Sequence, residues 1–260
     1  MLDLANFLKN DQEGIISLVK KPDCTLVQLL QESCIISAVR YEITEVVQFL
    51  FDHLDELIDL AVQESPESKI SRSVLFDLAY QYAVNISESS PFHKKMNTLL
   101  ALKNIPRPTI ICLSRIILTL GKSENYSILT NLSENQFFFP KFCALIEFNS
   151  VYETLLTLAT NDHHSIITFF EDLNATLVIF NLAEQSQPSS QCKYFLILAE
   201  IISKADKESS LIHSIADSAH IPKIFEFCIH GQTSQVQYAA FSLFINICIK
   251  NSQEPDSYSS

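Results

Sequence analysis

Apolar residues recur along most of the chain at steps of three and four, the spacing of one face of an α-helix. After Ile43 they fall at Val46, Val47, Leu50, Leu54, Leu57, Ile58 and Ala61. The same steps recur at Leu113-Ile116-Ile117-Leu120 and at Leu198-Ile201-Ile202-Ala205. No alternating strand pattern bounded by hairpin turns interrupts them. The pattern predicts an all-α protein, with one continuous helix over Ile43–Val62.

Pairs of similar helical segments also recur along the chain with a second, longer period. Ala175 opens one helix and Ile221 opens a similar helix 46 residues later, while Tyr194 and Tyr238 in the helices that follow are 44 residues apart. Periods of about 40–47 residues are typical of armadillo and HEAT repeats. The armadillo pattern IP, VQ, AA and N is matched at Ile221-Pro222, Val236-Gln237, Ala239-Ala240 and Asn246.

These two periods together predict an α-solenoid of armadillo/HEAT-like helical repeats, built as stacked helix pairs. A pair cannot bury its apolar face alone, so neighbouring repeats must stack. We expect a single helical-repeat domain over residues 1–250 and a flexible, polar tail over residues 251–260.

Composition narrows the possible functions. Apolar residues make up 47% of the chain, which is enough for a substantial core, and the net charge is −12. That acidic balance argues against a nucleic-acid partner, because phosphates are bound by lysine and arginine. The chain has three isolated glycines, Gly14, Gly121 and Gly231. Phosphate-binding loops and nucleophile elbows need clustered glycines, so the common nucleotide-binding enzymes and hydrolases are disfavoured.

The N-terminal residues and the cysteines bear on the compartment. Asp3 stands where a secretory signal has basic residues, and the most apolar stretch, residues 110–120, is shorter than the roughly 20 residues of a membrane helix. Seven scattered cysteines suit reduced thiols better than a disulfide framework. We expect burial of Cys112, Cys143, Cys228 and Cys248. We expect a cytoplasmic protein that can also enter the nucleus, with no membrane partner.

An acidic row is the first candidate binding feature. Asp52, Asp55, Glu56 and Asp59 share the face of the predicted helix opposite its apolar stripe. Such a row is either an ordinary solvated face or a ridge that steers a basic partner.

The seven histidines show no zinc-ligand spacing and no serine or cysteine lies in a catalytic motif. We therefore expect no catalytic residues, no metal and no cofactor.

Two further features are candidates for partner binding. Phe137, Phe138 and Phe139 belong to a cluster of four phenylalanines within six residues, which cannot all face one side of a helix. They either pack between repeats or include an exposed anchor for a partner. Asn246 stands at the asparagine position of the armadillo pattern, where it is a candidate clamp for the backbone of a bound peptide.

Several segments, taken in order, resemble the SAPS family of regulatory subunits of protein phosphatase 6. The opening of that family is matched by Thr25-Leu26-Val27-Gln28-Leu29-Leu30, Cys34-Ile35-Ile36, Val46-Val47-Gln48-Phe49-Leu50 and Leu54-Asp55-Glu56-Leu57-Ile58. The likeness continues through Arg107–Leu120, Phe142–Leu158 and Phe169–Ala183, so that it covers residues 25–206.

This resemblance implies a non-catalytic scaffold that binds a type-2A-like (type 6-like) Ser/Thr phosphatase catalytic subunit and directs it to substrates. It assigns no individual binding residue. The alternative, based on residues 221–250 alone, is a generic armadillo-type adaptor that holds an extended peptide. An adaptor of that kind carries a ladder of asparagines, but the positions equivalent to Asn246 in the preceding repeat are Glu200 and Ile201. The missing ladder favours the phosphatase scaffold.

Overall fold

The computed structural model describes residues 13–122 and 138–252, and within these ranges every regular element is an α-helix. The chain divides into two compact units, Met1–Ser123 and Glu124–Ser260. Residues 13–19 are helical, and sixteen further helices follow in the described ranges. The prediction of an all-α protein is confirmed.

The first unit contains helices α1 to α8. Their bounds are α1 Leu26–Leu30, α2 Ile35–Arg40, α3 Thr44–Asp52, α4 Leu54–Val62, α5 Ser68–Gln81, α6 Ala83–Ser87, α7 Ser90–Leu100 and α8 Arg107–Gly121. Local signals account for several of the starts. The Thr25 hydroxyl accepts a hydrogen bond from Gln28 N while the Gln28 side chain accepts one from Thr25 N, which is a capping box. Pro91 and Pro108 occupy first-turn positions, where the missing N–H costs least.

The second unit contains helices α9 to α16. Their bounds are α9 Phe138–Cys143, α10 Asn149–Ala159, α11 His164–Asp172, α12 Ala175–Glu184, α13 Pro188–Lys204, α14 Ser210–Ile215, α15 His220–His230 and α16 Ser234–Ser252. Within the described residues, no single helix is long and apolar enough to cross a membrane. The bent pair α11 and α12, whose axes differ by 60°, meets that criterion by length and composition only.

The repeating element of the first unit is a group of three helices, one more than the predicted pair. The groups are α3-α4-α5 and α6-α7-α8, and Ala83 of the second lies 39 residues after Thr44 of the first. The third helices stack in order, because α5 packs against both α2 and α8, and the second helices α4 and α7 also meet. In the second group a short first helix, Ala83–Ser87, precedes two longer helices, which is the armadillo form of helical repeat.

The second unit repeats the same scheme. Its groups are α11-α12-α13 and α14-α15-α16, preceded by α9 and α10. Here α13 packs against both α10 and α16, so third helices again follow one another. Ser234 begins its helix 46 residues after Pro188, which agrees with the period read from the sequence. The predicted helical-repeat fold is therefore present in each unit.

One predicted helix is interrupted. The continuous helix expected over Ile43–Val62 ends at Asp52 and resumes at Leu54, because His53 leaves helical geometry with φ −113° and ψ 24°. The His53 ring stacks on Phe49 with centroids 4.1 Å apart, and its Nδ1 lies 2.9 Å from the Phe49 carbonyl oxygen. Leu50 and Leu54 are both buried across the break, so the apolar spacing does not reveal it.

The last described helix extends further than the sequence predicted. Asn251 and Ser252, predicted to lie in the tail, belong to α16, and residues 253–260 lie outside the described residues. The single domain over residues 1–250 stays a prediction.

Cys112 and Cys143 are buried as expected, and burial raises the pKa of Cys112 to about 12. The expectation was wrong for Cys228, which is half-buried, and for Cys248, which is exposed.

Candidate interaction surface

The predicted acidic row is divided between two helices. Asp52 ends α3 and accepts a hydrogen bond of 2.9 Å from Gln48 Nε2. On α4, Asp59 pairs with Lys95 of α7, so this carboxylate links the second helices of neighbouring repeats. Asp55 and Glu56 are exposed on α4. That the row steers a basic partner stays a prediction. Asp59 already forms an ion pair within the fold.

The phenylalanine cluster is part of the core where the structure describes it. Phe137 lies outside the described residues. Phe138 and Phe139 are both buried, so neither is available as an exposed anchor for a partner. The Phe139 ring lies 6.1 Å from Phe169 and 6.3 Å from Phe170, both on α11 of the next repeat. Phe139 therefore packs between repeats, whereas the buried Phe138 ring stacks on Phe142 of its own helix.

Asn246 also has a structural partner. Its Nδ2 donates a hydrogen bond of 2.9 Å to the carbonyl oxygen of Ala199, 47 residues earlier on α13. This bond joins the third helices of successive repeats. This bond occupies one of the two N–H groups of Nδ2, so the second N–H and Oδ1 are the groups that could hold a peptide. The clamp stays a prediction.

A feature that the sequence reasoning missed is the placement of arginine. The chain has four arginines, at positions 40, 72, 107 and 115. Arg40 lies on α2, Arg72 on α5, and Arg107 and Arg115 on α8, so all four are on consecutive third helices of the first unit. In a chain of net charge −12 this is a local concentration of guanidinium groups. The confinement of all arginines to residues 40–115 was visible in the sequence.

Two of these arginines belong to a continuous row across the three helices. Arg40 Nε donates to Asp77 Oδ2 at 3.0 Å, which joins α2 to α5. Phe76 is adjacent to Asp77, and the Arg115 guanidinium lies over its ring at 5.2 Å from the centroid, which joins α5 to α8. We call Arg40, Phe76, Asp77 and Arg115 the arginine–aromatic row.

Exposed apolar side chains flank the row. Tyr41 and Tyr80 are 62% and 65% exposed, and Ile111, one helical turn before Arg115, is 46% exposed. Tyrosine and arginine are the residue types most enriched among the energetically dominant positions of protein interfaces. The composition of this surface resembles that of protein interfaces.

Arg72 differs from the arginines of the row. Its Nε donates to the Ala61 carbonyl oxygen at 2.7 Å, and one terminal nitrogen donates to that of Gln63 at 3.1 Å. These acceptors lie at the end of α4, where helix carbonyls have no intrahelical donor. Arg72 thus caps a helix, whereas the Arg40 side chain is 62% exposed.

The chemistry of the row is that of binding. A guanidinium presents its N–H groups in a planar fork that matches a carboxylate or phosphate. The Arg115 side chain is exposed, so its N–H groups can be reached by an acceptor from solvent while the guanidinium lies over the Phe76 ring. Among the described residues, no group of three or more His, Cys, Asp or Glu side chains is arranged to hold a metal ion.

Comparisons with known proteins add likenesses of shape. The chain matches no family model and no curated protein, so the SAPS resemblance gains no support from them. It is similar to a designed armadillo repeat protein, with 14% identity, 90% of this chain and 98% of that chain covered, and a TM-score of 0.47. Two engineered proteins with crystal structures are also similar. The first is 15% identical, with 92% of this chain and 97% of that chain covered and a TM-score of 0.49. The second is 16% identical, with 91% of this chain and 98% of that chain covered and a TM-score of 0.48. The fold assignment stands on the chain's own helices and their contacts.

Proposed function

We propose that this protein is a non-catalytic scaffold that binds another protein through the arginine–aromatic row. The observation that supports this proposal is the alignment of Arg40, Asp77, Phe76 and Arg115 across three successive third helices. Stacked repeats present an extended surface, and that surface is where solenoids bind their partners.

Stability alone gives little reason for such a row. An exposed ion pair such as Arg40–Asp77 contributes only about 0–1 kcal/mol to folding, because water competes for both charges. Tyr41 and Tyr80 place large apolar rings in water beside it, which has no benefit for the isolated chain. Both features become favourable when a partner covers the surface and excludes water.

The partner segment that fits the row carries carboxylates. Arg115 offers its N–H groups to a new acceptor, and Arg40 can share its fork between Asp77 and a second carboxylate. The general negative charge of the chain is screened beyond about 10 Å at ordinary salt concentration, so the nearby guanidinium groups decide the contact.

The phosphatase catalytic subunit remains the partner to test first, because the SAPS resemblance suggests it. In this proposal the chain has no phosphatase activity of its own and contributes only a docking surface. Affinity purification of the full chain from its native cell, followed by identification of the co-purifying chains, tests this partner directly.

The experiment that tests the surface compares two double variants of the full chain. Arg40→Ala with Arg115→Ala removes both exposed guanidinium groups of the row. Lys69→Ala with Lys204→Ala removes the same charge from exposed positions on α5 and α13 and is the matched control. We expect the arginine variant to bind its co-purifying partner at least about 30-fold more weakly, since a central arginine contributes about 2 kcal/mol or more.

The control pair should bind that partner as the wild type does. Equal loss in both double variants would show that only overall charge matters. Full retention of the partner by the arginine variant would remove the row as the binding surface.

A further inference from the structure

Helix α16, the last that the structure describes, exposes a stripe of apolar side chains. Tyr238, Phe241, Ile245 and Ile249 follow one another at steps of three and four on α16 and are between 40 and 71% exposed. We call these four residues the terminal stripe. Phe225 and Ile229 of α15 are also about half exposed, and the Phe225 ring lies 5.7 Å from Phe244 of α16.

The stripe results from the position of α16 in the stack. The equivalent helix of the preceding repeat, α13, packs against a third helix on either side, α10 and α16. Ile197 and Ile201 of α13 are accordingly fully buried. In contrast, α16 packs mainly against α13 and α15, so its opposite face keeps apolar residues in contact with water.

Charge distinguishes this face from the rest of the molecule. Over residues 234–252 the only charged side chain is Lys250, and its Nζ donates a hydrogen bond of 2.7 Å to the Ala205 carbonyl oxygen. On α15, Lys223 pairs with Glu184 at 2.7 Å, and Glu226 is the one carboxylate of that helix. Two copies of a chain with a net charge of −12 repel one another over most of their surface. The exposed face of α16 contributes little to this repulsion, because it carries no carboxylate.

The exposed area is sufficient for a weak contact between two copies. Six large apolar side chains, each about half exposed, present on the order of 500 Å² of apolar surface, since a whole aromatic side chain buries about 150–250 Å². A two-fold contact uses the same patch on both copies and so removes about 1,000 Å² from water, the lower end for a specific interface. Two such helices crossing antiparallel would place Phe241 and Ile245 of each copy at the centre.

We propose that the terminal stripe is the contact through which two copies of this chain form a reversible dimer. Its apolar, uncharged and self-complementary surface is what a second copy fits. The proposal is independent of the arginine–aromatic row, which lies in the other unit.

The test measures the mass of the full chain by sedimentation from about 2 to about 200 μM, because the dimer fraction rises with concentration. The disrupting variant is Phe241→Glu with Ile245→Glu, which places two like charges at the centre of the contact. The control variant is Val84→Glu with Leu102→Glu, two exposed apolar residues of the first unit. Circular dichroism confirms that both variants are folded.

We expect the wild type and the control to approach the dimer mass at the highest concentrations and the stripe variant to remain monomeric. A second readout is alkylation of Cys248, an exposed thiol between Ile245 and Ile249. Its rate should fall several-fold as the wild type dimerises and stay constant in the stripe variant. A monomeric wild type throughout, or a stripe variant that dimerises equally, would overturn the proposal.

Residues 253–260 are the other possible occupant of the stripe. A chain ending at Ser252 separates the two cases. Dimerisation of this shorter chain at the same concentrations as the wild type supports the second copy. Dimerisation that appears only after the truncation, together with faster alkylation of Cys248, would show that residues 253–260 cover the stripe and would overturn the proposal.

Discussion

The hydroxyl group of Tyr194 donates a hydrogen bond of 2.8 Å to the backbone carbonyl oxygen of Cys143. Tyr194 lies on the third helix α13, and Cys143 is the last residue of α9, two helices before the repeat that contains Tyr194. The same carbonyl oxygen also accepts a hydrogen bond of 3.1 Å from Ile146 N. Both Tyr194 and Cys143 are buried, so the tyrosine hydroxyl supplies the second donor in place of water. Burial raises the pKa of Tyr194, which keeps the hydroxyl protonated as a donor.

Tyr194→Phe should lower the free energy of unfolding by about 0.5–1.5 kcal/mol, because the buried hydrogen bond to the Cys143 carbonyl group is lost while Ile146 N still donates to it. Urea unfolding followed by circular dichroism measures the change. Tyr238→Phe is the control, since this tyrosine is 71% exposed, and we expect no change there. Equal stability of the two variants would contradict a structural role for the bond.

Asn246→Ala should destabilise the protein by about 1 kcal/mol, because the hydrogen bond to the Ala199 carbonyl oxygen between α16 and α13 is lost. Asn251→Ala, an exposed position on the same helix, should change stability little. The two variants are compared by urea unfolding. If Asn246 is instead a peptide clamp, its removal will weaken peptide binding and leave the unfolding midpoint unchanged.

Gly231→Ala should destabilise the second unit by about 1–3 kcal/mol, the usual cost of forcing extra atoms into a packed site. A Cβ atom at this position would lie 2.6 Å from the Phe227 carbonyl oxygen and 3.0 Å from Val236 Cγ1. At Gly14 a Cβ atom would have no atom within 4 Å, and alanine favours the helical residues 13–19. Thermal unfolding should therefore show a lower midpoint for Gly231→Ala and an unchanged or higher one for Gly14→Ala.

The thiols of Cys112 and Cys143 should react slowly in the folded protein. Burial raises the pKa of Cys112 to about 12 and raises that of Cys143 further. Since the thiolate is the nucleophile, alkylation of Cys112 near pH 8 should be roughly 1,000-fold slower than in denaturant. Mass spectrometry of partially alkylated samples measures this ratio, and comparable rates in both states would show that the site opens readily.

The same shift predicts how stability depends on alkaline pH. The folded state holds the proton of Cys112 more tightly than the unfolded state, whose thiol has its usual pKa near 9. The resulting stabilisation is complete below about pH 9 and is lost progressively as the pH rises towards 12. Cys112→Ala should flatten this part of the pH profile, which urea unfolding at several pH values would show.

Much of the fold was predictable because the positions of the apolar residues indicate both the helical spacing and the repeat period. The spacing of Ala175 and Ile221 indicated the period that α12 and α15 show. Two aspects were not predictable in this way. The break at His53 leaves Leu50 and Leu54 in phase, and first helices as short as Ala83–Ser87 or Ser210–Ile215 provide too few turns for a period to be recognised.

The candidate site was harder to predict for a different reason. Apolar periodicity identifies which residues are buried, but it does not show which helices become neighbours. Arg40 and Asp77 are 37 residues apart, and only the stacking of α2 on α5 brings them together. In contrast, the unusual composition of the phenylalanine cluster made it a candidate for partner binding, although Phe138 and Phe139 are buried in the core.

The stacking of third helices in the first unit also sets a length scale for anything bound across it. Packed helices lie about 8–10 Å apart, and an extended chain advances about 3.3 Å per residue. Each repeat therefore corresponds to about three residues of a strand laid across α2, α5 and α8. Arg40 and Arg115, on helices two steps apart, would meet acidic residues about six positions apart, so the unit would act as a ruler that distinguishes ligands by the spacing of their charges as well as by their number.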